Sequence, residues 1–399
     1  MKTECFTVGP ETVRMLELGH PWVIADRYTR KWPVGRAGDL VRLCDEKENF
    51  LATALLDPGE RVVARVLEPG PMRLDRAWVQ AKVARAAALR SAHADLEGTS
   101  AFRLVNGEGD GLPGLTVDRY NDHLMVQLYS AAWRPHLSSV TEALLQVLSP
   151  AGIYEKFRPQ QTRALGVEES REYSHLLWGA AAPERLTVRE NDLNFLVELE
   201  RGLNTGLFLD QRRNRRDLMK RMPGKKFLNL FAYTGAFSVA AAASGAAKVT
   251  SVDASTSYLD WTKENFGANR LNPKRHEFIV GDCFEVLDDL RRQERLFDLV
   301  LMDPPTFSTT ARSRFTTRQG TSDLVAAALA LLPPGGLLIT SSNHQKVDLP
   351  DYLKELRRGA LQSGCGLTVI HFAGQPEDFP FPITFPEGRY LKYVIGVKG

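Results

Sequence analysis

At 399 residues, 43% hydrophobic and 25% charged, the chain can bury the core of two or three domains, and its net charge of +3 permits a nucleic-acid partner without requiring one. Cys5, Cys44, Cys283 and Cys365 are scattered and form no C-x-x-C pair, so neither a zinc site nor a disulfide framework is expected, and a reducing cytoplasm is the expected location. No apolar run approaches the length of a membrane span.

Residues 1–75 read as a small all-β module. The segments Asp39–Leu43, Phe50–Leu56 and Val62–Leu67 are short, β-prone and separated by Gly, Pro, Asp and Asn. Within it Gly19-His20-Pro21-Trp22-Val23 stands out, with Trp22 either a core anchor or a binding group. Residues 76–200 read as an α+β unit, introduced by a connecting helix over Asp75–Ala94. The turn-rich stretch Phe102–Gly114 follows; its glycines and proline demand a tight path, and it also presents Glu108 and Asp110. Strands Leu115–Arg119 and His123–Tyr129, helix Pro135–Leu148, the segment Gly152–Phe157 and strand Leu193–Leu199 complete this unit.

Residues 201–399 carry the sharper signals. Asn204–Arg216 is a turn running into a helix that starts near Asp210, an acceptable N-cap. Arg212, Arg213, Arg215 and Arg216 are either a solvated helix face or a phosphate-positioning run. Lys226–Asp253 reads as strand, tight loop, small-residue helix and strand, one βαβ unit. Its loop Ala232-Tyr233-Thr234-Gly235 has a single glycine, where a pyrophosphate binder would need a G-x-G-x-x-G series. The acid closing the second strand, Asp253, is nevertheless placed to accept hydrogen bonds from ribose hydroxyls. S-adenosylmethionine, which has a ribose and no phosphate, fits that combination.

Strands and helices then alternate to the last strand at Tyr390–Val397, which predicts an α/β fold with a doubly wound, mainly parallel, Rossmann-like sheet. Asp253, Asp282 and Asp303 all fall at strand ends, where such a sheet binds its ligand. Asp253 is expected to take the ribose and Asp282 the adenine end, with Phe284 as a stacking face. Asp303 is expected to face the reacting centre. The bland alternative is that strand-end acids cap the following helices. In Asp303-Pro304-Pro305-Thr306 two prolines stiffen the backbone, so that a carbonyl and the Asp303 carboxylate can meet a flipped-out base.

From HPWV through LVNGEGDGLPGLTVDRY, NTGLFLDQRRNRR, FLNLFAYTGAFS, VTSVDAS, GDCFEVL, DPPTFS and PEGRYLK, nearly the whole chain resembles the bacterial 23S rRNA large-subunit methyltransferases. These join a PUA domain, a small RNA-binding barrel, to a middle α+β domain and a class I S-adenosylmethionine domain. The resemblance implies Phe208, Asp210, Phe231, Tyr233, Gly235, Asp253, Asp282 and Asp303 as cofactor-binding residues, and Asp303, Pro304 and Pro305 as catalytic. It implies rRNA or a large-subunit precursor as partner and no metal, and it leaves a homodimer open.

One departure bears on the chemistry. Cytosine-C5 members place a Cys in a Ser-Cys-Ser-like turn after the fifth strand, where this chain has Thr340-Ser341-Ser342-Asn343-His344. That turn looks more like the guanine-N7 branch, where the base nitrogen is itself the nucleophile, with Phe307 or His344 available to the base. The alternatives are a C5 enzyme using Cys283 or Cys365, a catalytically inactive cofactor- and RNA-binding assembly protein, and an enzyme acting on a small molecule or protein.

Overall fold

Short β-prone runs bounded by turn residues assemble first into a five-stranded sheet: β1 (Cys5–Thr7), β2 (Trp22–Ile24), β3 (Leu40–Cys44), β4 (Phe50–Leu56) and β5 (Val62–Glu68), in the order β1-β3-β4-β5-β2. The protein is described here by a computed structural model covering residues 4–158, 174–305, 307–309, 314–316 and 320–399. Helix α1 (Pro10–Glu17) packs on this sheet through Val13 and Leu16, over a core that includes Phe6, Val23, Val41 and Ala64. β1, β2 and α1 were not expected from sequence, because segments of three and eight residues are too short to show a period. Cys5 and Cys44 are joined in a disulfide between the parallel neighbours β1 and β3, with Cα atoms 5.8 Å apart. This corrects the expectation of unpaired cysteines. Their partnership comes from strand adjacency across 39 residues, and spacing along the chain does not encode it.

The second unit opens with α2 (Arg76–His93), capped by the Asp75 carboxylate, which accepts from Trp78 N–H. β6 (Ala101–Asn106), β7 (Leu115–Tyr120), β8 (His123–Leu128), β9 (Gly152–Phe157) and β10 (Ser174–Gly179) form a sheet in the order β10-β9-β8-β7-β6. Helix α3 (Leu137–Leu148) and α2 cover one face of it through Val79, Val83, Val140 and Leu144. The hairpin of β11 (Leu186–Glu190) and β12 (Leu193–Val197) stands apart from that sheet and lies on the third unit, where Leu196 N–H donates to Asn265 Oδ1.

In the third unit α4 (Arg212–Met219) precedes β13 (Lys226–Leu230), α5 (Ala236–Ala243), β14 (Lys248–Asp253), α6 (Thr256–Ala268), β15 (Glu277–Val280), α7 (Cys283–Arg292) and β16 (Leu299–Met302). A hairpin of β17 (Phe307–Thr309) and β18 (Arg314–Thr316) follows, then α8 (Thr321–Ala330), β19 (Leu337–Ser342), α9 (Leu349–Gln362), β20 (Leu367–Ala373) and β21 (Lys392–Lys398). The large sheet has the order β15-β14-β13-β16-β19-β21-β20, parallel throughout except for β21. Its central strands are buried on both faces. Leu228, Leu230, Val300 and Met302 face the α7–α9 layer, while the alternating Phe227, Leu299 and Leu301 face Leu218 and Phe237. The chain winds outward from β13 to β15 and then resumes on the other side at β16, so the switch point lies between β13 and β16.

Candidate active site

At the end of β13 the backbone enters left-handed conformations at Phe231 (φ 57°), Tyr233 (φ 51°) and Gly235 (φ 77°). Two of the three are aromatic residues, for which this region is costly, and such strain gathers where a ligand is held. Gly235 is the N-cap of α5, and a side chain there would collide with Thr262. Asp253 ends β14, and its two oxygens accept from Tyr233 N–H at 2.8 Å and Ser255 N–H at 2.9 Å. Burial raises its pKa against those hydrogen bonds. One bond per oxygen leaves acceptor capacity on both, which suits the two donors of a ribose diol. The ring of Tyr233 lies between Phe208, 5.3 Å away, and Tyr258, 4.6 Å away. With a single glycine, a partly desolvated acceptor and clustered aromatic rings, these residues fit S-adenosylmethionine.

Asp282 caps α7 by accepting from Phe284 N–H at 2.9 Å, and the Phe284 ring packs against the core cluster. Asp282 is thus a helix cap as well as a strand-end acid. Asp303 follows β16 and accepts from Gln211 Nε2 at 3.1 Å. Gln211 Nε2 also reaches Ser341 Oγ at 2.8 Å, while its Oε1 accepts from Asn214 Nδ2 at 2.6 Å. The Asp303 carboxyl is pushed up to about 6 by burial; a hydrogen bond from Ser341 opposes the rise and the nearby Asp210 adds to it. Asp210 sits in a short helical turn over 209–211 instead of capping α4, and its Oδ2 accepts from the Tyr390 hydroxyl at 2.7 Å. Pro304 is buried and Pro305 exposed. Thr306 lies outside the described residues, and Phe307 is described only as the first residue of β17.

Sequence reasoning missed Gln211, Ser341 and Tyr390. Their signal was present in the DQR, TSSN and GRYLK runs, but neutral side chains carry no chemistry until a fold brings them beside a carboxylate. Half of the arginine run is buried instead of forming a solvated face. Arg212 and Arg215 are 1% and 2% exposed. Arg215 holds Glu190 through two bonds of 2.6 and 2.7 Å and donates to Phe208 O at 2.7 Å, which fixes the chain entering the site. Arg212 pairs with buried Asp378 at 2.8 Å, and Arg213 and Arg216 both engage Asp95. Asp110 likewise is structural, in a two-bond pair with Arg90 at 2.6 and 2.8 Å.

A cavity of about 610 Å³ has walls that come from all three units. Trp22 of the first donates through Nε1 to Glu108 of the second at 2.8 Å and packs edge-on against Phe385 of the third at 4.7 Å. The odd motifs HPWV, GEGDGLPG and FPEGRY thus meet at one junction. Asp210, Asn343 and Tyr390 line the same cavity.

A parallel sheet with one reversed strand, a strained single-glycine loop after its first strand and an acid closing the second define a class I S-adenosylmethionine-dependent methyltransferase. The family model of S-adenosylmethionine-dependent methyltransferases matches residues 102–385, and that of PUA-like domains matches residues 6–69. Ribosomal RNA large subunit methyltransferase I of Yersinia pseudotuberculosis is 32% identical over 374 residues, 94% of each chain. SMU.776, a methyltransferase solved in complex with SAH, superposes with a TM-score of 0.88 at 29% identity, over 98% of this chain and 100% of its own. A SAM-dependent methyltransferase from Streptococcus mutans gives 0.86 at the same identity and coverage. The chain belongs to the ribosomal RNA large subunit methyltransferase family and is an S-adenosylmethionine-dependent enzyme.

Proposed function

We propose that the protein methylates a base of large-subunit ribosomal RNA and that the acceptor is guanine N7. The name of the Yersinia relative supports the RNA, and the PUA-like match supports residues 1–75 as an RNA-binding domain. The observation that carries the acceptor is a reaction centre with two carboxylates and no thiol. Of the four cysteines, Cys5 and Cys44 are bonded to each other, Cys283 is buried with its thiol pushed far up by burial, and Cys365 lies beyond α9. The end of β19 offers Ser341 and Ser342, and the turn after it Asn343.

Carboxylates also favour guanine on its pairing edge. Guanine presents two adjacent donors there, N1–H and N2–H, which a carboxylate can accept with both oxygens, whereas cytosine presents one, N4–H, beside the N3 and O2 acceptors. S-adenosylmethionine, when bound, would supply a sulfonium methyl for N7, with S-adenosylhomocysteine as the leaving group. Asp253 accepts from the ribose, Phe208, Phe231, Tyr233 and Gly235 shape the cofactor loop, and Asp282 sits at the adenine end. Asp210 and Asp303 hold the base while the stiff Pro304-Pro305 backbone keeps it aligned. Their negative charge stabilises the cationic N7-methylguanine product.

Incubation with labelled S-adenosylmethionine and rRNA, followed by nucleoside analysis, is expected to yield N7-methylguanosine. With 5-fluorocytosine-substituted rRNA no stable adduct is expected, since no thiol attacks the base. An adduct lost on Cys283→Ala or Cys365→Ala would overturn the acceptor assignment. Absence of any transfer to RNA would overturn the substrate.

A further inference from the structure

The cavity between the three units carries both cationic and anionic side chains on its walls. Arg158, the residue after β9, lines its wall on the middle unit. Its Nε donates to Gln127 Oε1 at 2.6 Å, and NH2 donates to Leu203 O at 2.7 Å. NH1 and NH2 each reach Asn204 Oδ1 at 3.2 Å. All these acceptors are neutral, and among the described residues no carboxylate lies within ion-pair distance of Arg158. The neighbouring Arg103 binds Asp118, which also accepts from Gln127, so two guanidinium groups in this network share one carboxylate. Buried Lys156 has its pKa lowered to about 7, by desolvation first and by Arg158 second, with Asp118 and Glu198 opposing the shift. Arg61 lines the cavity from the first unit and also lacks an ion pair among the described residues. Asp210, Tyr390 and Asn343 also line the cavity, as do Glu108, Glu387 and the partly exposed rings of Phe208 and Phe381.

We infer that this cavity seats one nucleotide of single-stranded RNA, its phosphate on Arg158 and its base against Asp210. A guanidinium held by neutral acceptors, whose charge is left over and which keeps one N–H unspent, matches the sign of a phosphate and can donate to it. Exposed aromatic rings give a base a stacking surface. With the phosphate on Arg158, Asp210 is left to accept the donors of the base. This inference rests on the RNA reading above; it adds where the nucleotide lies and which way round.

The test uses the full chain saturated with S-adenosylhomocysteine, titrated with guanosine 5′-monophosphate and with guanosine. The monophosphate is expected to bind about tenfold more tightly, a gap that shrinks as salt rises. Arg158→Gln is expected to erase the gap while leaving guanosine and S-adenosylhomocysteine affinities unchanged, and Arg158→Lys to keep part of it. Retained S-adenosylhomocysteine binding reports that each variant is folded. A short single-stranded RNA is expected to displace the monophosphate; failure to do so would assign the site to free nucleotides and overturn the inference. Equal affinity for the two ligands, or a gap that survives Arg158→Gln, would overturn it as well. Methyl transfer to rRNA by the unaltered protein, run in parallel, separates the two readings: transfer without the phosphate effect removes only the seat, and no transfer removes the RNA function.

Discussion

At Asp303 a carboxyl held up to about 6 binds a proton that the unfolded chain has already released, so between about pH 4 and 6 the native state carries the larger proton count. Stability therefore falls as pH rises through that window, by up to about 3 kcal/mol in total above it. Asp303→Asn is expected to be more stable than the unaltered protein at pH 7 and no more stable at pH 3.5, read from denaturant midpoints at the two values. The same variant is expected to bind S-adenosylmethionine normally and to lose turnover, because its partner is the base. In the unaltered enzyme kcat/KM should rise with an apparent pKa of about 6 as the carboxylate forms. A profile flat between pH 5 and 7 would remove Asp303 from the reaction. Asp253→Ala should instead weaken the cofactor by about 1.5–3 kcal/mol, since the ribose loses a charged acceptor and Tyr233 N–H loses its partner. Calorimetry reads this directly, and unchanged affinity would take Asp253 out of the site.

Helix α4 shows how far a charge run can mislead. Its four arginines were legible as a motif, but the burial of Arg215 depends on Glu190 from β11 and that of Arg212 on Asp378, 166 residues further along. Long-range ion pairs of this kind have no local signature. Removing Arg215 leaves Glu190 buried and unpaired, so Arg215→Met is expected to cost about 3–5 kcal/mol. Adding Glu190→Leu should recover much of that loss, as thermal unfolding of the single and double variants will show. The salt dependence of RNA binding should be the same in the recovered double variant as in the unaltered protein. Elements with a strong period, such as the βαβ unit at Lys226–Asp253, were legible nearly to the residue because burial on both faces imposes a pattern that Phe227–Leu230 displays. Strand β10 was not, since Ser174–Gly179 mixes polar and apolar residues on an exposed edge of its sheet.

On the scale of the whole molecule, the three units share one cavity, and that was not legible because it is a property of their packing. The motifs that supply it were visible one by one: HPWV, GEGDGLPG and FPEGRY. Excising residues 1–75 would also strip Glu108 of Trp22 and Ser130 of Arg65, so a single change is the cleaner probe. Trp22→Ala is expected to leave S-adenosylmethionine affinity intact and to lower rRNA affinity, and equal RNA affinity would move the recognition surface elsewhere. The reversed strand has a consequence of a different kind, one of timing. β21 pairs with β19 on one side and β20 on the other, and Tyr390, just before it, completes the Asp210 contact. β20 is made earlier yet has no place in the sheet until β21 arrives between it and β19. During synthesis the reaction centre therefore stays open while every other strand of that sheet is already present, and the enzyme gains its hold on Asp210 only with the last strand to be laid down.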